Sequence, residues 1–421
     1  MDKIVVTGGG RLRGTVDISG SKNAALPIIA ATILADSPSL IKNVPALSDV
    51  QTMAQILEFL GAKVSYPAKG QILIDPRSII HFVAPYELVR KMRASICVLG
   101  PLLGRFKKAK ISMPGGCVIG TRPIDIHLKG MQGLNARVNV EHGYVVVKTQ
   151  ELRGSDIFLG GRFGSSVLAT ANVMMAAVKA KGVTIIESAA CEPELVDLAD
   201  FLNKMGAKIE GAGSHVIKIQ GVRKLKGAEH TVIPDRIEVG TYMIAAAMTK
   251  GDVRIKDVRA DHLHAVIDKL KEAGVSVIKK GRDLRVSSNG KLKVVDVITL
   301  PYPGFPTDLQ AQMMALMTIT KGISVITEKI YPDRFMHVPE LTRMAADISL
   351  EGSSAIVKGV DLLSGAPVMA SDLRASAALV LAGLVSQGET EINRVYHIDR
   401  GYEFIEKKLG KLGARIKRVE E

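Results

Sequence analysis

The chain repeats itself about every 70 residues, and that period decides what it can fold into. Each unit runs from a stretch of small apolar residues to a glycine, then a β-branched strand, a loop, an amphipathic helix and a tight closing turn. The third unit is the clearest. Ser166–Lys181 is the small-residue stretch, Gly182-Val183-Thr184-Ile185-Ile186 the strand, and Glu192-Pro193-Glu194 opens a helix. In that helix Leu195, Val196, Leu198, Ala199, Phe201, Leu202 and Met205 share one face. Pro193 suits its first turn and Gly206 its end. Closing turns are predicted at Gly61, Asn135, Gly206, Gly274, Ala345 and Gly413, so six units fill the 421 residues. Common solenoid repeats are shorter. Units this large hold enough strand and helix for globular lobes, and we expect an α/β protein with three units in each of two lobes and a cleft between them.

Composition narrows the function. Apolar residues make up 47% and charged residues 23%, as in a soluble globular protein. Cys97, Cys117 and Cys191 are an odd number without metal-ligand spacing, which points to a reducing compartment and no disulfide framework. The start of the chain has no apolar leader, and the stretches Ala24–Ala35 and Ala375–Val385 are too short to cross a membrane. A cytoplasmic protein without a membrane partner is expected. The net charge of +14 leaves two readings. Nucleic-acid binding finds only eight Tyr, nine Phe and no Trp for stacking, and no recognition motif. A small, multiply anionic substrate drawn into a basic cleft fits better, because the repeat itself sorts the charges.

At the start of each unit's first helix stand Lys22 with Asn23, Arg93, Ser166, Asp235 with Arg236 and Glu238, Asp308, and Asp372 with Arg374. Between strand and second helix stand Asp49, Cys117 with Arg122, Glu192, Asp261, Arg334 and Arg400. Equivalent element ends point the same way, so Lys22, Arg93, Arg122, Arg334, Arg374 and Arg400 are expected to converge beside helix N-termini that favour anions. The alternative is a set of solvated helix caps. One further segment stands out, Pro114-Gly115-Gly116-Cys117-Val118-Ile119-Gly120-Thr121-Arg122-Pro123-Ile124-Asp125-Ile126-His127. Glycines around a thiol flanked by Arg105, Lys107, Lys108, Lys110 and Arg122 read as a reactive cysteine on a mobile lid, or else as a half-buried structural cysteine in a turn.

Several motifs together resemble the enolpyruvyl transferase family, in its branch with a sugar-nucleotide acceptor. They are Ser21-Lys22-Asn23-Ala24, Met92-Arg93-Ala94-Ser95, the Cys117 segment, Pro234-Asp235-Arg236-Ile237-Glu238 and Phe305-Pro306-Thr307-Asp308-Leu309-Gln310-Ala311-Gln312. Arg334-Phe335-Met336-His337-Val338-Pro339-Glu340-Leu341, Asp372-Leu373-Arg374-Ala375 and Tyr396-His397-Ile398-Asp399-Arg400-Gly401-Tyr402 complete the set, which runs from end to end. The resemblance implies a two-lobed inside-out α/β barrel of six βαβαββ repeats. Its first lobe would be residues 22–232, its second lobe residues 1–21 plus 233–421, and its active site would lie between them.

The implied reaction moves an enolpyruvyl group from phosphoenolpyruvate to the 3-hydroxyl of UDP-N-acetylglucosamine by addition and elimination. Phosphate is released in what would be the first committed step of peptidoglycan precursor synthesis. By family correspondence Cys117 is proton donor and covalent nucleophile, Asp308 the general base, and Lys22, Arg122 and Arg400 neutralise the donor with Arg334 and Arg374 beside them. Arg93, Arg122, Pro123, Ile124, Asp125, Ile126, Ser166, Val167, Asp308 and Ile330 would hold the nucleotide sugar, Asn23 both substrates, and Asp372 belongs to the binding set. His127 is read either as placing the diphosphate or as structural, and Asp308 either as base for the hydroxyl or as acceptor of the late methyl proton. No metal and no cofactor are implied, and a monomer or weak homo-oligomer is expected. Two positions depart from the family's usual pattern, Leu168 where Gly is frequent and Cys191 where a basic residue is. Three other readings remain open: a shikimate-ester acceptor, a non-catalytic binding protein with the same fold, and a nucleic-acid-binding repeat protein.

Overall fold

The computed structural model describes residues 2–113, 124–162 and 164–420. It divides into two compact units, one made of Met1–Ser19 with Pro234–Glu421 and the other of the described residues from Gly20 to Ile233. Each unit has its own apolar core. At the heart of each lie the helices that begin the repeats. In the Gly20–Ile233 unit these are Lys22–Ala31, Leu99–Phe106 and Val167–Ala177. In the other unit they are Arg236–Met248, Gln310–Thr318 and Leu373–Val385, and every residue of the first two is buried. Small apolar residues all round such a helix let it be enclosed on every side. The fit is close: a Cβ at Gly100 would collide with the Asn172 carbonyl of the neighbouring buried helix.

Among the described residues, six four-stranded sheets share one plan. The strand after each buried helix takes a parallel neighbour on one side and an antiparallel hairpin on the other. Val183–Glu187, for example, pairs in parallel with Asp156–Phe158 and antiparallel with Val216–Gln220, which pairs with Lys208–Glu210. Burial alternates along Val216–Gln220, so one face meets the helices and the other meets water. Within each unit the first sheet borrows its parallel edge from a distant segment. Ser39–Lys42 takes Glu229–Thr231, and Asp252–Lys256 takes Arg13–Asp17. The sixth sheet joins both ends of the chain, with Lys3–Thr7 antiparallel to Glu389–Asn393 and to Arg415–Val419. Among the described residues, no helix is long and apolar enough to cross a membrane.

All six predicted closing turns are left-handed: φ is 109° at Gly61, 67° at Asn135, 105° at Gly206, 89° at Gly274, 69° at Ala345 and 96° at Gly413. Five carry glycine or asparagine, which tolerate this region, and Ala345 bears a Cβ penalty there. Ala345→Gly is therefore expected to raise unfolding free energy by up to about 1 kcal/mol, the relief of strain outweighing glycine's greater unfolded-state entropy. A methyl group at Gly206 would meet only open space, so Gly206→Ala sets strain against the unfolded-state entropy alone and should lose up to about 1 kcal/mol in denaturant melts.

Candidate active site

Capping decides where the buried helices begin, and with that where their first side chains sit. Ser21 accepts from the Ala24 N–H, Ser166 from Ala169, Asp235 from Ile237 and Glu238, and Asp372 from Arg374 and Ala375. Each cap satisfies amides that the helix leaves unpaired. Lys22, Val167 and Arg374 therefore occupy the first turns of capped helices.

In the Gly20–Ile233 unit the Lys22 ammonium donates to Asp49 Oδ2 at 3.0 Å, with both side chains buried. Asn23 follows it in the same turn, and Pro27, four residues on, has no N–H to give to the Asn23 carbonyl. Arg93 opens the short turn Arg93–Val98. Ile124 is buried, Asp125 is exposed at the first position of helix Asp125–Gly133, and Ile126 is partly buried. His127 is 5% exposed. Burial, and then the Arg93 charge, push its pKa down to about 3, so it is neutral at ordinary pH. Its tautomer follows from the network around Asn172. The Asn172 oxygen accepts from the Gly100 N–H, so its amide donates to the Ile96 carbonyl and to His127 Nδ1, leaving the imidazole proton on Nε2. His127 thus offers a neutral donor rather than a charge. Cys117, Arg122 and Pro123 lie outside the described residues, as does the 114–121 loop.

In the other unit one carboxylate holds two guanidiniums. Asp308 lies in the turn Thr307–Leu309, accepting from Arg334 at 2.9 Å on Oδ1 and from Arg374 at 3.2 Å on Oδ2. Arg334 is 5% exposed and Arg374 1%. Burial opposes both charges, but Asp308 and Asp372 beside Arg334, and Tyr402 and Asp308 beside Arg374, outweigh it and raise both pKa values above the usual arginine range. The Arg374 guanidinium also lies 5.3 Å from the Tyr402 ring centroid. Ile330 is partly buried, its N–H donating to Glu328. Arg400 ends the turn Val395–Arg400 and lowers, after burial, the pKa of His397.

The structure therefore brings Asp308, Arg334 and Arg374 into direct contact, and sets Lys22 against Asp49. Fixed guanidiniums match carboxylate or phosphate groups, while a carboxylate can only accept. Two participants had no role in the sequence reading. Asp49 stood at a repeated loop position without a function, and Glu328 carried no signal beyond its place next to Ile330. Of the three thiols, Cys97 is buried and pushed up to about 12 by that burial, and Cys191 is also raised by burial, then by Glu192.

Comparison with known proteins adds to this geometry. Residues 6–409 match the family described as EPSP synthase (3-phosphoshikimate 1-carboxyvinyltransferase). The chain is 56% identical over 419 residues to UDP-N-acetylglucosamine 1-carboxyvinyltransferase of Desulfatibacillum aliphaticivorans, covering 100% of both. It is 54% identical over 419 residues to the protein of the same name from Methylacidiphilum infernorum, covering 100% of this chain and 99% of that one. The crystal structure of the enolpyruvyl transferase NikO from Streptomyces tendae superposes with a TM-score of 0.90 at 25% identity, over 99% of each chain. EPSP synthase from Acinetobacter baumannii shares the fold, with a TM-score of 0.75 at 17% identity over 100% of each chain.

The buried histidines set an acid limit. His337 is 1% exposed, its Nε2 3.2 Å from the Met314 sulfur, and burial pushes it down to about 4. Both folded-state values lie below the ordinary 6.5, so unfolding takes up protons below pH 6.5 and stability falls as pH drops towards 4. At pH 5 the loss is on the order of 2 kcal/mol per histidine. Denaturant midpoints at pH 7.5 and pH 5 should converge in His127→Gln and His337→Gln relative to the parent protein.

Proposed function

The chain belongs to the EPSP synthase (3-phosphoshikimate 1-carboxyvinyltransferase) family, and from that membership we propose that it transfers the enolpyruvyl group of phosphoenolpyruvate to the 3-hydroxyl of UDP-N-acetylglucosamine, releasing phosphate. The enzyme is a transferase of peptidoglycan precursor synthesis. What carries this reading is the Asp308–Arg334–Arg374 cluster, on a chain whose full-length relatives bear that enzyme's name.

Each step asks for a residue type that is present. The donor brings a carboxylate and a phosphate, which Lys22, Arg122 and Arg400 neutralise with Arg334 and Arg374. As the donor competes for the guanidiniums, an Asp308 oxygen is released to accept the proton of the sugar hydroxyl. The hydroxyl oxygen attacks C2 of the donor while Cys117 protonates C3, giving a tetrahedral phospho-ketal. Loss of a C3 proton and of phosphate then restores the double bond. Asp308 can instead take that later proton. As an acid Cys117 must be a thiol, and as a nucleophile adding to the donor a thiolate.

Arg93, Arg122, Pro123, Ile124, Asp125, Ile126, Ser166, Val167 and Ile330 hold the nucleotide sugar, and Asn23 meets both substrates. His127 gives a hydrogen bond through Nε2 and no charge. Asp372 sets the first turn that bears Arg374. The protein works in the cytoplasm as a monomer or weak homo-oligomer, without metal, cofactor or nucleic acid.

Phosphate release from phosphoenolpyruvate tests the reading, run with UDP-N-acetylglucosamine, with shikimate 3-phosphate and with no acceptor. Release is expected only with the nucleotide sugar. Release only with the shikimate ester would overturn the acceptor, and none with either, from folded protein, would favour a binding protein. Cys117→Ser should keep substrate binding by calorimetry and lose roughly 10²–10⁴-fold in kcat. Full activity of that variant across pH would remove Cys117 from the acid role.

A further inference from the structure

The central strand of each repeat ends where a loop must turn, and most of these strands use the backbone to do it. After Ser39–Lys42, Val183–Glu187, Asp252–Lys256 and Glu389–Asn393 the next residue is left-handed, with φ of 55° at Asn43, 52° at Ser188, 53° at Asp257 and 58° at Arg394. The strand-ending side chains Lys42, Glu187, Lys256 and Asn393 all reach solvent at least in part. The fifth repeat differs. Its strand Ile323–Glu328 ends in a carboxylate with no exposed surface, and Lys329 after it is not left-handed.

Glu328 does with a buried charge what four of the other repeats do with a turn. Oε1 accepts from the Ile330 N–H at 2.8 Å, the Tyr331 N–H at 3.0 Å and the Thr299 hydroxyl at 2.6 Å. The Thr299 oxygen in turn accepts from the Lys329 N–H at 2.9 Å, so three successive loop amides are fixed by one carboxylate and its partner. Oε2 accepts from the Thr307 hydroxyl at 2.8 Å. With its proton committed there, the Thr307 oxygen is free to accept from Arg334 at 2.9 Å, and the same Arg334 nitrogen reaches Asp308. One buried carboxylate therefore binds the Ile330 loop on one side and orients the Arg334–Asp308 pair on the other. A buried charge is costly unless fully hydrogen-bonded, and a left-handed turn would serve the chain path alone. The device is explained by what it holds in register.

We propose that Glu328 is a positioning residue, acting through Thr307 on the Arg334–Asp308 pair and through the 329–331 amides on Ile330; the inference rests on the reaction proposed above. Glu328→Gln keeps volume but removes the charge, and its amide nitrogen cannot accept from Thr307. Thr307→Val cuts the link to Arg334 and leaves the loop amides untouched. In steady-state assays of the full chain, Glu328→Gln is expected to lose roughly ten- to a hundredfold in kcat and to raise KM for the nucleotide sugar. Thr307→Val should show the kcat loss with little change in that KM. The double variant should be no slower than Glu328→Gln, since one network has been broken twice.

Parental kinetics in folded Glu328→Gln, or losses that multiply in the double variant, would overturn the proposal. If Glu328→Gln does not fold, Thr307→Val decides alone: a kcat loss of about tenfold or more supports the relay and unchanged kinetics refutes it. Unmutated protein in the same assay separates this outcome from failure of the reaction itself, which would silence every sample.

Discussion

Cations at the wrong end of a helix are the constraint on which the candidate site depends. Lys22 and Arg374 lie in the first turns of buried helices, where the backbone amides already present positive potential. Neither position suits a cation, and each is also buried. The molecule answers with carboxylates: Asp49 meets Lys22, and Asp308 meets Arg374 and Arg334. Leaving any of these cations unpaired would cost roughly 3–5 kcal/mol. An arrangement so expensive to hold in a resting protein makes sense as a place for an anion. Once a phosphate or carboxylate arrives, helix end and cation act in the same direction.

The repeat lets such a site be built on one frame. Strand order and closing turns hardly vary from unit to unit, and the differences sit at helix starts and at the loops after the central strands. Those are the places where a change of side chain disturbs packing least and where a rigid scaffold can aim a functional group. Ser21, Ser166, Asp235 and Asp372 do the same capping work, yet the residues that follow them range from lysine to valine to arginine. The fifth repeat goes furthest, exchanging a left-handed turn for the Glu328 carboxylate.

Local features were legible in the sequence, and distant partners were not. The six closing turns could be read because glycine and asparagine mark left-handed backbone, and Ala345 because its place in the period outweighed its propensity. Helix starts could be read from their capping residues for the same local reason. The path of Lys3–Thr7 into the sixth sheet is a different matter. In the other repeats the hairpin strands are consecutive, whereas here the second strand comes from the opposite end of the chain, and no periodicity reports that. Asp49 and Glu328 were missed for a related reason. Pattern tells which face a residue occupies, but a buried ion pair or a hydroxyl relay is a fact about two particular side chains meeting, as Thr307 and Glu328 do across 21 positions.

The same pairing that stabilises the resting site also orders its chemistry. With Arg334 and Arg374 both on Asp308, protonating that carboxylate would strand two buried cations, so in the proposed reaction a sugar hydroxyl has no useful base while the donor is absent. The donor's own anionic groups supply the missing partners. Arg334 then has somewhere to remain, because Thr307, its hydroxyl proton held by Glu328, still accepts from it at the far side. In the proposed reaction the base is thereby released only when the donor is in place. In the role proposed for it, Glu328 contributes to this without touching substrate: it keeps the Thr307 oxygen an acceptor, which would let Arg334 loosen its hold on Asp308 without losing its position.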